Sequence, residues 1–146
     1  MIERTLVVLK PDAIEQGLED VIITELLSLG LSLVKEKRFV PTESLIRKHY
    51  NTESHILAHR GHITCLINYL CRGEVRALVL EGEGAIQKAR QKCGMSSLPE
   101  DCAPDTIRYR YGKGKNKNTD CNINIVHSSD SFESAEYEIS LWLNCG

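Results

Sequence analysis

Apolar residues fall in two rhythms along this chain. Thr5 to Leu9 is an unbroken β-branched or apolar run and Val75 to Leu80 an apolar run broken only by Arg76, and both predict buried strands. Leu31, Leu33, Lys35, Lys37 and Phe39 alternate instead, as in a strand with one mixed face. Elsewhere the spacing lengthens to that of helices. Leu18, Val21, Ile22, Leu26 and Leu29 make one apolar face, closed by Gly30. Pro41-Thr42 opens a second helix through Tyr50, with Thr42 as its cap. Ile63, Leu66, Ile67 and Leu70 mark a third, ended near Gly73. Gly82-Glu83-Gly84 turns into a fourth, bearing Ala85, Ile86 and Ala89.

From Cys93 to Cys121 the periodicity disappears. A structureless loop of that length inside a compact domain is usually functional. A short apolar run, Ile123 to Val126, broken only by Asn124, then predicts a last strand, delivering His127 into the polar cluster Ser128-Ser129-Asp130-Ser131. Asp130 suits an N-cap, with Glu133 three residues on as in a capping box, and Phe132, Ala135, Ile139, Trp142 and Leu143 recur at helical spacing. The element order predicts one α+β domain over residues 1–146, with helices on a face of a small, mostly antiparallel sheet, as in the split βαβ arrangement.

Composition narrows the function classes. The 146 residues carry 18 basic and 20 acidic side chains, a net charge of −2, so no global field calls for nucleic acid or a membrane surface. No apolar run approaches the roughly 20 residues of a membrane span, and Met1 to Thr5 does not read as a secretion signal. A cytoplasmic protein is expected. The six cysteines contain no C-x-x-C pair and read as reduced thiols.

His127 stands where a strand ends and a helix begins, a setting that favours an anion. Glu138 lies between Ala135 and Trp142 on that helix and should lean inward. A carboxylate there can hold one ring nitrogen of His127 and leave the other as a nucleophile. Lys10, at the end of a buried strand before Pro11, points into whatever cleft the sheet borders. Alone, each has a plainer reading: a histidine at a strand end is more often a satisfied core histidine.

Taken together the motifs go further. Glu3-Arg4-Thr5, Leu9-Lys10-Pro11-Asp12, His49-Tyr50, Glu81-Gly82, Pro104-Asp105-Thr106-Ile107-Arg108 and Asn124-x-x-His127-x-Ser129-Asp130-Ser131 follow one another over nearly the whole chain. In that order they resemble nucleoside diphosphate kinase. The resemblance implies a ferredoxin-like αβ sandwich that moves the γ-phosphoryl of ATP, or another nucleoside triphosphate, to a nucleoside diphosphate. It implies ping-pong kinetics through a phosphorylated His127, oriented by Glu138. It further implies that Lys10, Tyr50, Arg90 and Arg108 hold the phosphates, with Ser96 in the place of a phosphate-contacting threonine. Asn124 matches the residue that binds the sugar hydroxyl, and His62 falls near the position that stacks the base. The expected cofactor is Mg²⁺ carried by the nucleotide, since no carboxylate cage stands out. A homo-oligomer is implied too.

This chain departs from the family pattern in places. Ser128 follows the histidine where glycine is usual and is expected to add bulk beside the nucleophile. The loop before Asn124 is longer by several residues, and the tail after the last helix is nearly absent. Other readings compete. His55, His59, His62 and Cys65 fall at i, i+4, i+7 and i+10, a metal-like stripe, but Gly61 interrupts it, and a solvated face is the better reading. The basic run Arg108 to Lys117, with Tyr109 and Tyr111 interleaved, suits a nucleic-acid module; the net charge and the motif match of Arg108 argue against one. An inactive scaffold would be expected to lose His127 or Lys10. A phosphohistidine relay or phosphatase has no use for Asn124.

Overall fold

The computed structural model describes residues 1–51, 62–116 and 121–144. Along them run β1 (Ile2–Leu9), α1 (Pro11–Glu15), α2 (Glu19–Leu27), β2 (Ser32–Phe39), α3 (Glu43–His49) and α4 (Ile63–Leu70). Then follow β3 (Val75–Glu83), α5 (Ala85–Cys93), α6 (Ile107–Gly112), β4 (Val126–Ser128) and α7 (Phe132–Asn144). The sheet order is β2-β3-β1-β4, and each neighbouring pair is antiparallel. This is the α+β ferredoxin-like sandwich that the motif order implied.

β1 sits centrally because both its faces are apolar. Leu6 and Val8 pack with Leu45, Ile46, Leu66, Tyr69 and Trp142, under α3, α4 and α7. Val7 and Leu9 pack on the opposite side with Ile22, Leu26, Ala85, Ala89 and Ile107, under α2, α5 and α6. Helices therefore cover both faces of the sheet, where the sequence suggested one. The run Thr5 to Leu9 in β1 and Ala77 to Leu80 in β3 already contained the reason, since a strand without alternation has no face to give to water. Among the described residues, no helix is long and apolar enough to cross a membrane.

Three local expectations change. The stretch from Cys93 to Cys121 is not structureless. It holds a 3₁₀ turn at Pro99–Asp101 and α6, whose N-cap Thr106 accepts a hydrogen bond from the Tyr109 amide. Six helical residues are too few for a visible 3.6-residue period; the cap was the only signal. α7 begins at Phe132, so Ser131 and not Asp130 holds the position next to it, and the Ser131 hydroxyl accepts from the Ser134 amide at 3.1 Å. Phe132, expected on the core face, is exposed.

The cysteines change most. Cys65, on α4, is joined to Cys121, before β4, with their Cα atoms 5.9 Å apart. Cys71, Cys93 and Cys102 are free. The reduced-thiol reading missed the crosslink because its two residues lie 56 apart in sequence and meet only in the fold. A crosslink closing a ring of that length removes roughly 4 kcal/mol of chain entropy from the unfolded state.

Candidate active site

β4 pairs with β1 so that His127 lies opposite Val8 and Ser128 opposite Val7. Partners across a ladder share a face. His127 therefore turns toward α3 and α7, and Ser128 toward α5. On that first face Glu138, buried on α7, comes within 2.7 Å of His127 Nε2. The Ser129 hydroxyl donates to the same carboxylate oxygen at 2.7 Å. Burial pushes the Glu138 carboxyl up, but His127, its hydrogen bond, His49 and Ser129 outweigh this and hold it down at about 2. An ionised carboxylate only accepts, so His127 Nε2 carries the proton and the lone pair of the neutral ring sits on Nδ1.

His49 supports this ring from the side. Its centroid is 4.6 Å from that of His127, edge to face, and equally close to Tyr50. Trp142 Nε1 donates to His49 Nδ1 at 2.9 Å, which places the proton of a neutral His49 on Nε2. His49, His127 and Glu138 have ligand atoms within 4.8 Å of one another, as a metal trio would. With both imidazole Nε2 atoms protonated, the cluster is a hydrogen-bonded support for the ring and not a ligand set.

The cationic side of the site comes from elsewhere. Lys10 follows β1 directly, is buried, and donates to Asn124 Oδ1 at 2.6 Å. Asn124 Nδ2 in turn donates to the Ser97 carbonyl at 2.8 Å. Arg108, on α6, donates to the carbonyls of Gly94, Ser96 and Val126. Gly94 has φ +126°, and a Cβ there would stand 3.2 Å from the Arg108 stem. Burial first and Arg108 second lower the Lys10 ammonium to about 7, against the pull of Asp12 and Cys93. Burial lowers Arg108 too, and it pushes the Tyr50 phenol up while Arg108 draws it down.

The family model of nucleoside diphosphate kinase matches residues 3–145. A nucleoside diphosphate kinase of Pyrococcus furiosus is 39% identical over 143 residues, 97% of this chain and 83% of its own. One from Thermoanaerobacter sp. is 37% identical over 142 residues, 96% of each chain. The apo crystal structure of nucleoside diphosphate kinase from Encephalitozoon cuniculi superposes with a TM-score of 0.84 at 33% identity, covering 98% of this chain and 90% of its own. A transition state mimic of the Borrelia burgdorferi enzyme, with bound vanadate and ADP, gives 0.82 at 29%, covering 97% and 86%. This chain belongs to the nucleoside diphosphate kinase family.

Within this nucleoside diphosphate kinase fold the expected residues do not all meet. His127 and Glu138 touch, as do Lys10 and Asn124, and Arg108 reaches the Ser96 backbone. Tyr50 is buried near both Arg108 and Glu138. Arg90 is half-buried on α5, and His62 is exposed at the start of α4. His55 and His59 of the metal-like stripe lie outside the described residues. Ser128 is not beside the nucleophile. It is buried on the opposite face, hydrogen-bonded with the Cys93 thiol, which burial pushes up to about 11. The basic run is largely engaged within the chain: Arg110 pairs with Glu25 and lies over the Tyr111 ring, and Lys113 lies over Tyr109. Both tyrosines that the competing nucleic-acid reading would stack on bases thus carry a cation of their own chain.

Sequence reasoning assigned no role to His49, Trp142, Asp12, Tyr69 or Ser129. Asp12 and Ser129 stood inside the motifs, and His49 beside Tyr50. Trp142 read only as an apolar helix position, and Tyr69 was not singled out.

Proposed function

We propose that this chain, as one unit over residues 1–146, transfers the γ-phosphoryl group of ATP or another nucleoside triphosphate to a nucleoside diphosphate through a phosphohistidine at His127. The observation that carries the reading is the 2.7 Å contact of Glu138 with His127 Nε2. It aims the other nitrogen, Nδ1, as the nucleophile. The Nδ1 lone pair attacks the γ-phosphorus, and the bond from that phosphorus to the β-bridging oxygen breaks. Its electron pair leaves with the nucleoside diphosphate. A second diphosphate then takes the group by the reverse step, which gives ping-pong kinetics.

Phosphoryl transfer needs an aligned nucleophile and positive charge around the equatorial oxygens. Lys10 and Arg108 supply that charge, with Arg90, Tyr50 and Ser96 as further phosphate contacts and Asn124 as the sugar contact. Lys10 acts as a point charge and the arginines as forked donors. Asp12 is closed to a metal, because its two oxygens accept from the Tyr69 hydroxyl and the Ile125 amide. That donor set fits a Mg²⁺ that would be held by the nucleotide's phosphates and would there neutralise charge. His62, at the exposed start of α4, is the base contact in this reading. Its small polar ring supports loose base selectivity.

Exposed Val21, Leu27, Val34 and Val40 support assembly with further copies of the chain, which light scattering of the purified protein tests. The substrates support a cytoplasmic location. There the Cys65–Cys121 crosslink would face a reducing thiol pool, so its oxidation state in cells is the check on location. The decisive experiment is intact mass after mixing with ATP and Mg²⁺. An acid-labile gain of one phosphoryl group is expected, absent in His127→Ala. Gain in that variant, or exchange at the wild-type rate, sinks the reading.

A further inference from the structure

Between the sugar contact Asn124 and the nucleophile His127 the backbone makes an unusual bend. Ile125 has φ +72°, and the Val126 amide donates to the Asn124 carbonyl at 2.7 Å, closing a three-residue turn around it. That is a γ-turn of the rare left-handed kind, and a β-branched residue is poorly suited to its centre. Such a conformation costs about 1–3 kcal/mol and persists only where its surroundings impose it.

The surroundings here can be named. The Ile125 amide donates to Asp12 Oδ2 at 3.1 Å, and its carbonyl accepts from the Lys10 amide at 2.9 Å. The other Asp12 oxygen accepts from the Tyr69 hydroxyl at 2.6 Å, and that hydroxyl also receives the Asn124 amide at 3.4 Å. Asp12, Tyr69 and Ile125 are all buried, so these bonds do not compete with solvent. One turn of α4 before Tyr69, Cys65 is bonded to Cys121, three residues ahead of Asn124. α4 thus grips the segment at a covalent point and at a hydrogen-bonded point. Between them Asn116 pairs with both the amide and the carbonyl of Ile123.

We propose that Tyr69, acting through Asp12, and the Cys65–Cys121 crosslink form a two-point brace on α4 that positions Asn124 beside Lys10 and sets the affinity for nucleotide without touching it. The proposal rests on the reading of Asn124 as the sugar contact. Tyr69 and the two cysteines are positioning residues, and what they position is the turn. The same brace makes affinity responsive to thiols. An external dithiol that attacks the crosslink is itself oxidised to a disulfide, while Cys65 and Cys121 each gain an electron and a proton.

The test is a double-mutant cycle, read as KM for a nucleoside diphosphate and as the phosphorylation rate at saturating ATP. Tyr69→Phe keeps the ring and removes only the hydroxyl. It should raise KM about 5- to 10-fold, the size of one or two net hydrogen bonds, and change the saturated rate less than twofold. On an Asn124→Ala background the same substitution should change KM by less than twofold, because the group it positions is already gone. A merely structural role would lower the melting temperature and multiply fully with Asn124→Ala. Reduction of the wild type, with the thiols counted by alkylation and mass, provides an arm without any substitution. It should raise KM severalfold, reversibly on reoxidation, and again leave Asn124→Ala unmoved. An unchanged KM in Tyr69→Phe, or full multiplicity in the cycle, overturns the role of Tyr69; an unchanged KM on reduction removes the crosslink from the brace. If the wild type showed no exchange at all, the phosphoryl-transfer reading would have failed before any variant was compared.

Discussion

The two halves of the site are built on opposite principles. The nucleophile half is a set of side chains bonded to one another: Ser129 and His127 to Glu138, Trp142 to His49, with the two imidazoles edge to face. Its one full charge is a carboxylate held down at about 2 by the groups around it. The half proposed to hold phosphate instead brings two cations, Lys10 and Arg108, into a buried place where burial lowers both and Arg108 further lowers the affinity of Lys10 for its proton. Arg108 rests on three backbone carbonyls, and Lys10 on a neutral amide. A carboxylate partner would quench such charges, whereas carbonyl dipoles orient them and leave their attraction for an arriving anion intact. Orientation is complete in one half; charge is concentrated in the other.

That contrast predicts an order of effects. Arg108→Ala should be the most costly after loss of His127 itself, lowering kcat by ~10³-fold, as removal of one charge-stabilising donor from a preorganised site does. Pre-steady-state phosphorylation measures it. A smaller loss than Glu138→Gln would reverse the assignment of the two halves. Glu138→Gln keeps a polar group against Nε2 and loses only the charge, so a drop of ~10²-fold is expected.

The same glutamate links the site to acid stability. Its folded value of about 2 lies below its ordinary 4.5, so its stabilisation is present above pH 4.5 and is lost as pH falls toward about 2. Glu138→Gln should flatten that limb of an acid-unfolding curve; an unaltered limb would mean that other carboxylates set it. Lys10 gives a gentler effect. Nucleotide phosphate favours its ammonium, so diphosphate affinity should be full below pH 7 and weaken above it, by at most about tenfold per pH unit. Calorimetry in two buffers of different ionisation heat would reveal the proton taken up on binding near pH 8, and no uptake would contradict the buried cation. Smallest of all, His62→Phe should lower KM for purine and pyrimidine diphosphates severalfold, by adding stacking surface worth ~1–3 kcal/mol per base at most. Its saturated phosphorylation rate should not move. Unchanged KM for both would take His62 out of the base site.

The sequence disclosed the halves unequally. His127 and Glu138 are eleven residues apart across one strand-to-helix junction, so local periodicity was enough to aim one at the other. Lys10 was visible as a lysine ending a buried strand. Its partner Asn124 lies 114 residues away, and only the motif order joined them. Tyr69 was illegible for a different reason: its ring packs in the apolar core as its position demands, while its hydroxyl alone does the polar work. The Cys65–Cys121 pair was illegible because absence of a C-x-x-C motif says nothing about cysteines that meet through tertiary structure. Ser128 was misjudged at the level of one strand register. Side chains alternate along β4, so the residue next to the nucleophile is the one that faces away from it.

The crosslink also alters what a broken chain would be. Cys65 and Cys121 close a covalent ring that includes β3, α5 and α6, and with them Arg90, Ser96 and Arg108. A protease that cuts once anywhere inside the ring produces two polypeptides but only one molecule. The C-terminal piece, with Asn124, His127 and Glu138, remains tethered to the piece that carries Lys10 and Tyr50. A nicked enzyme would therefore migrate as intact protein without reductant and as two fragments with it. As the tether holds the fragments at an effective concentration far above that of free peptides, a single cut would leave reassembly of the site independent of dilution.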